Sequence, residues 1–213
     1  MKFITYYFDM DKDNLYYEQC FHNLKTNLQK LNYELIGENI NFKNLKLEKY
    51  EKINLYKPTY ILNKLKELKE SMVWIDADTK VNSHIKEFEI DNYDIIFVNR
   101  KDKIPYAGCI YFNNTEESIT FLKKWEMICI EKYFIDYNCT EHCLLVDLLK
   151  NYDNDKIKIN FIDNIASTTY NLEENNNNSK ILFGLSKNGV EFEKSLSRNS
   201  NDIRKTREKP HKH

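Results

Sequence analysis

Short apolar runs alternate with segments of helical periodicity from the first residues of this chain, and no other feature restricts its fold more. Lys2 to Phe8 is rich in β-branched and aromatic residues and reads as a strand. Tyr17, Cys20, Phe21, Leu24, Leu28 and Leu31 then recur at helical spacing. Tyr33 to Ile40 reads as a second strand, and Lys43 to Tyr56 is charged and ambiguous. Pro58 suits a first helical turn, where its missing N–H costs nothing, and Ile61, Leu62, Leu65 and Leu68 form that helix's apolar face. Met72 to Ile75, Asp94 to Val98 and Cys109 to Phe112 are compact enough for buried strands. Asn114 with Glu117 resembles a capping box for a helix carrying Ile119, Leu122, Trp125, Cys129 and Tyr133. Asn138 with Glu141 suggests a similar start for a helix carrying Leu144, Leu145, Leu148 and Leu149. Ile157 to Ile162 and Ile181 to Phe183 read as the last strands, with an asparagine-rich loop, Glu173 to Ser179, between them. Such alternation predicts an α/β fold with a mainly parallel central sheet flanked by helices.

One domain over residues 1–187 is expected, followed by a polar, basic tail or linker over 188–213 that can lead to a further domain. The 213 residues are 41% hydrophobic, enough for a real core. Basic and acidic residues, 32 against 33, nearly cancel, which argues against a nucleic-acid partner. The only glycines are Gly37, Gly108, Gly184 and Gly189. None are spaced as a dinucleotide fingerprint or a P-loop, so a glycine-rich phosphate cradle is excluded. The five cysteines form no C-x-x-C pair and predict reduced, buried thiols in a cytoplasmic protein. No signal peptide is expected at the N-terminus, and no apolar run approaches the ~20 residues of a transmembrane segment.

The sharpest motif is Val73-Trp74-Ile75-Asp76-Ala77-Asp78. Ligands of open α/β sheets bind at the carboxyl ends of strands, where this motif falls. Strand alternation would put Asp76 and Asp78 on one side of an extended backbone. Two hard oxygen ligands there suit Mg²⁺ or Mn²⁺ against a diphosphate, although D-x-D is short and aspartate is also an ordinary turn residue.

The stretch from Tyr56-Lys57-Pro58 through Asp76-Ala77-Asp78 resembles the GT-A nucleotide-sugar glycosyltransferases. In these, a lysine- or arginine-led helix precedes a strand ending in D-x-D. Two further segments follow in the family's order. Tyr106-Ala107-Gly108-Cys109-Ile110-Tyr111-Phe112-Asn113-Asn114-Thr115 is similar to its acceptor-side G-x-x-x-F-N-x-T strand. After the Trp125 helix, Thr140-Glu141-His142-Cys143-Leu144-Leu145 is similar to its D-Q-x-x-L helix start, with Glu141 and His142 replacing Asp and Gln. The likeness spans roughly residues 1 to 187. It implies a single GT-A, Rossmann-like domain. The implied reaction is hexosyl or deoxyhexosyl transfer from a nucleotide-diphosphate sugar to a hydroxyl-bearing glycan or other acceptor, with Mn²⁺ or Mg²⁺.

By this resemblance Asp78 ligates the metal directly, and Asp76 contacts the ribose or completes the metal shell, with Ala77 between them. Thr5, Tyr6 and Tyr7 lie where the family binds the base, although core packing accounts for them equally well. Lys57 would approach the diphosphate or ribose, or else be solvated. Arg100 would steer an anionic donor, or sit in a solvated charged loop. Gly108 marks either a close approach of sugar to backbone or a simple bend. Asn113 would meet sugar hydroxyls, while Asn114 and Thr115 serve the helix cap. Glu141 is the candidate acceptor-side carboxylate: a base in an inverting reaction, an orienting group in a retaining one, or only a cap. The family's late histidine ligand is missing, since Lys180 to Lys187 holds none. Metal would then rest on two protein ligands, diphosphate and water, or its binding would be weak or absent. Lys187 would meet the diphosphate as a point charge. Two alternatives stand beside transfer. A haloacid-dehalogenase-type phosphotransferase also uses a D-x-D after a strand, although Thr79-Lys80-Val81 fits it poorly. A non-catalytic nucleotide-sugar-binding module would keep the fold without turnover.

Overall fold

The computed structural model describes residues 1–8, 16–40, 53–90, 92–99, 103–134, 140–152, 156–168 and 179–183. The expectations for Arg100, Gly184 and Lys187, for Cys139 and Asn138, for the asparagine run and for the tail lie outside these residues. Strand β1 (Lys2–Tyr7) is followed by α1 (Tyr16–Lys30), β2 (Glu34–Asn39), α2 (Lys57–Leu68), β3 (Met72–Ile75) and the two-residue β4 (Lys80–Val81). After a 3₁₀ turn (Lys86–Phe88) come β5 (Ile95–Asn99), β6 (Pro105–Phe112), α3 (Glu116–Phe134) and α4 (Glu141–Lys150). Strands β7 (Ile159–Ile162), β8 (Ala166–Thr168) and β9 (Ile181–Phe183) complete the described chain.

Six strands form the main sheet in the order β2-β1-β3-β6-β5-β7. β1 is parallel to β2 and β3, and β5 is parallel to β7. β6 runs antiparallel to both neighbours, β3 and β5. The sheet is therefore mixed, which corrects the expectation of a mainly parallel one. Connection length explains the reversal. Only residues 100–104 separate β5 from β6, whereas a parallel crossover needs a dozen or more.

Strand alternation sorts the core onto two faces. Ile4, Tyr6, Met72, Trp74, Ile95, Phe97, Ile110 and Phe112 face one side, packed with Ile61 and Leu65 of α2, Phe121 and Trp125 of α3, and Leu144 and Leu145 of α4. Phe3, Val73, Ile75, Ile96, Val98, Cys109 and Tyr111 face the other, packed with Phe21, Leu24 and Leu28 of α1. Their remaining cover comes partly from Val81, Ala166, Ile181 and Phe183 of a small second sheet, β4-β9-β8. Helices thus flank one face, and a helix with a small sheet flanks the other.

Local signals set the element ends. Pro58 occupies the first turn of α2, and Lys69 ends it in the left-handed region at φ 53°, its N–H donating to Leu65 O at 3.1 Å. The cap of α3 is Thr115 rather than Asn114: its Oγ1 accepts from Ser118 N–H at 3.2 Å, and it donates to Asp94 Oδ1 at 2.8 Å. In β2, a Cβ on Gly37 would lie 2.3 Å from the Phe21 ring, so glycine there lets α1 close on the sheet.

Candidate functional site

β3 ends at Ile75, and Asp76 leaves it at the carboxyl edge of the sheet. The chain then turns at Ala77 and Asp78, so strand alternation does not set the relation of the two carboxylates. Ala77 is buried and Asp78 half-buried. The first residues of two helices meet Asp76 from outside the sheet. Lys57 opens α2 and Glu141 opens α4. The Lys57 ammonium lies 3.0 Å from Asp76 Oδ1 and 2.8 Å from Glu141 Oε1. It also donates to the Ala107 carbonyl of β6 at 3.2 Å. An ammonium has three donors, and these three acceptors use all of them. The side chain lies beside the Trp74 ring, 5.3 Å from its centroid. Lys57 is therefore buried and fully hydrogen-bonded, which corrects the alternative of a solvated lysine.

The electrostatics of the cluster follow from burial. Burial alone would lower the Lys57 pKa, but the charges of Asp76 and Glu141 outweigh it and raise the value, so the ammonium stays charged through neutral pH. A cation at the start of a helix opposes the helix dipole, and the two carboxylates offset this. Glu141, at the start of α4, suits that dipole. One lysine against two carboxylates leaves a formal excess of one negative charge, and Asp78 adds another.

Asp76 Oδ1 also accepts from Trp74 Nε1 at 3.1 Å. Trp74 and Asp76 are two residues apart, the spacing that puts side chains on one side of a strand. Gly108 pairs with this segment, its carbonyl accepting from Asp76 N–H at 2.9 Å. A Cβ on Gly108 would lie 2.1 Å from Tyr106 Cε1 and 2.8 Å from Asp76 Oδ2. A side chain at this position would therefore press on the protein's own tyrosine and aspartate. Glu141 Oε2 is buried and has no hydrogen-bond partner. The α4 carbonyl of Glu141 accepts from Trp125 Nε1 at 3.2 Å, which ties the helix start to α3.

Lys57, Asp76, Gly108 and Glu141 are brought together. Asn113 is not. It follows β6 at the opposite end of the sheet, where its Oδ1 accepts from Ser71 Oγ at 2.7 Å. Thr5 is fully buried, and Tyr6 packs against Tyr60 and Trp74 with its hydroxyl on the Ile53 carbonyl. Tyr7 stacks on Phe21 at 4.7 Å. Their described contacts are those of core residues. Trp74, Tyr106 and the Ala107 carbonyl were missed by sequence reasoning. Only the Trp74 spacing carried a signal.

No group of three or more His, Cys, Asp and Glu side chains suited to a metal occurs among the described residues. Asp76 Oδ1 is committed to Lys57 and Trp74, and Asp78 is the other carboxylate of the motif. That sparse anionic set fits Mg²⁺ or Mn²⁺, which commonly take one or two carboxylates plus substrate phosphates. Of the four free cysteines described, Cys109 and Cys129 are buried as expected, but Cys20 is half-buried and Cys143 exposed. No described helix is long and apolar enough to cross a membrane.

No family model matches the sequence, and no curated protein matches it. Solved structures do resemble the fold. One is a glycosyltransferase involved in the glycosylation of the major capsid of PBCV-1, at 14% identity and a TM-score of 0.62. The match covers 85% of this chain and 92% of that one. Another is the galactosyltransferase LgtC in complex with donor and acceptor sugar analogs, at 9% identity and a TM-score of 0.50. It covers 93% of this chain and 96% of that one. The chain therefore has an α/β fold with a mixed central sheet, the fold of these two glycosyltransferases.

Proposed function

We propose that the chain is a metal-dependent glycosyltransferase. It would move a hexosyl or deoxyhexosyl group from a nucleotide-diphosphate sugar to a hydroxyl acceptor. The observation that carries this reading is the meeting of Lys57, Asp76 and Glu141 at the carboxyl edge of a sheet whose fold is that of glycosyltransferases. In the reaction, Asp78 and Asp76 Oδ2 would hold Mg²⁺ or Mn²⁺. When bound, the ion supplies the positive charge that a departing diphosphate needs. Lys57 holds Asp76 and Glu141 in place instead of touching phosphate. Glu141 Oε2, the carboxylate oxygen without a partner, would accept a hydrogen bond from the acceptor hydroxyl, as base or as orienting group.

Thermal denaturation with UDP-, GDP-, dTDP- and CMP-sugars, with and without Mn²⁺, tests the reading. Ligand at ~100 times its Kd stabilises by roughly 2.7 kcal/mol. For a chain of this size that is a Tm rise of roughly 5–10 °C. A rise with one nucleotide sugar and Mn²⁺ is expected, and Asp78→Ala should abolish it, together with donor cleavage, while the fold stays intact. Full donor cleavage by Asp78→Ala would sink the metal assignment. Stabilisation by non-nucleotide phosphates alone would favour phosphate transfer. Binding of a nucleotide sugar without any turnover would favour a binding module.

A further inference from the structure

Asn99 closes β5 at the same sheet edge as Asp76, with only β6 between their strands. Two strand spacings put it roughly 10 Å from Asp76 along that edge. It is 6% exposed. Its side-chain nitrogen donates to Asp163 Oδ1 at 2.9 Å, from the turn that follows β7. Its side-chain oxygen, Oδ1, is buried and has no hydrogen-bond partner among the described residues. The β5–β6 register shifts between Phe97 and Asn99, and Asn99 lies opposite Pro105, which has no N–H to donate. Such irregularities recur beside active sites, where they redirect a side chain.

An unsatisfied buried oxygen weakens a fold, and native proteins keep few of them. Here the Asp163 bond fixes which end of the amide carries the oxygen. Asp163 itself is exposed and is an acceptor when ionised. The pair thus offers acceptors. A ligand that satisfies the amide oxygen must bring a donor, as the hydroxyl groups of a sugar do.

We infer that Asn99 and Asp163 form a hydroxyl-recognising subsite for a neutral sugar group of the substrate, set beside the Asp76 cluster. The inference deepens the glycosyl-transfer reading and rests on it for the meaning of the sugar, but its test does not need turnover. Saturation-transfer NMR on the full chain with the methyl glycosides of glucose, galactose, mannose and fucose is the experiment. At least one glycoside should give a signal in the unmodified chain. Asn99→Leu, close in shape but without polar atoms, should weaken that signal roughly three- to tenfold. It should also melt no lower than the unmodified chain, because the orphan oxygen is gone. An unchanged signal in Asn99→Leu, or no signal from any glycoside in the unmodified chain, overturns the subsite. If Asn99→Leu fails to fold, Asp163→Ala replaces it, with the same loss expected and an unchanged signal again decisive against the idea. Glycoside binding without any nucleotide binding would remove glycosyl transfer and leave the subsite standing.

Discussion

Replacing Lys57 by methionine removes the one cation of the buried cluster while keeping most of its volume. The lysine side chain is 4% exposed, that of Glu141 7% and that of Asp76 26%. Removing one partner of a buried ion pair costs about 3–5 kcal/mol, because the remaining charge is left uncompensated. Asp76 still reaches water, so the lower part of that range applies, about 3 kcal/mol. Against a whole-domain stability of about 5–15 kcal/mol this is a large fraction. It corresponds to a Tm lower by roughly 6–12 °C. Urea denaturation at pH 7 should report the same loss as a lower midpoint with an unchanged slope. The double variant Lys57→Met with Glu141→Gln should recover part of it, since one orphaned charge has gone, and the cycle should be non-additive. The sign of the pH dependence follows from the raised Lys57 pKa. Its contribution is fully present below the unfolded value, about 10.4, and is lost only as pH rises through the folded one. Titration of Lys57 itself should therefore add no pH dependence to the deficit between pH 6 and 9. A loss under ~1 kcal/mol, or strictly additive substitutions, would refute the view that Lys57 holds two buried carboxylates.

Gly108→Ala should destabilise by about 1–3 kcal/mol, since its Cβ would meet the Tyr106 ring at 2.1 Å and Asp76 Oδ2 at 2.8 Å; an unchanged urea midpoint would contradict that crowding. Under native conditions iodoacetamide should label Cys143 and leave Cys109 unlabelled, because burial and the nearby Asp76 charge raise the Cys109 thiol pKa; mass spectrometry reads the difference. Glu87 receives Lys180 Nζ at 2.6 and 2.9 Å. Burial alone would raise the Glu87 pKa, but the lysine outweighs it and the value is lowered. The pair's stabilisation is thus present above the ordinary carboxylate pKa and lost as pH falls through the lowered one. Glu87→Gln should flatten the acid end of the stability curve, and an unaltered curve would discount the pair.

Much of the site was legible because its residues sit at element boundaries. Lys57 precedes the helix-starting Pro58, Asp76 follows a four-residue buried run, and Glu141 precedes an apolar helical face. Each boundary was readable from local pattern, and the sheet edge gathers such boundaries. The burial of Lys57 was not readable, since no spacing links residues 57, 76 and 141. Asn113 was misplaced for a geometric reason. It lies five residues beyond Gly108 in an extended strand that rises ~3.4 Å per residue, so the two cannot face one sugar ring. The reversal of β6 was equally hidden, because the apolar run marks only Cys109 to Phe112, whereas the strand begins at Pro105. β4 and β8, of two and three residues, are too short to show any periodicity. Thr115, rather than Asn114, caps α3 because Asp94 fixes its hydroxyl across the sheet edge, a contact no local pattern contains.

The order in which the cluster's charges are supplied has a consequence for its assembly. Asp76 and Lys57 alone make a neutral pair, and they belong to the first part of the chain. Asp78 makes the edge negative by one formal charge, and a second arrives with α4, a helix of ten residues with Glu141 at its head. Removing the Glu141 charge would leave the Lys57–Asp76 pair in place and halve, without abolishing, the formal negative charge of the edge. The head of α4 therefore sets how negative this edge is, and through it how strongly the edge attracts cations.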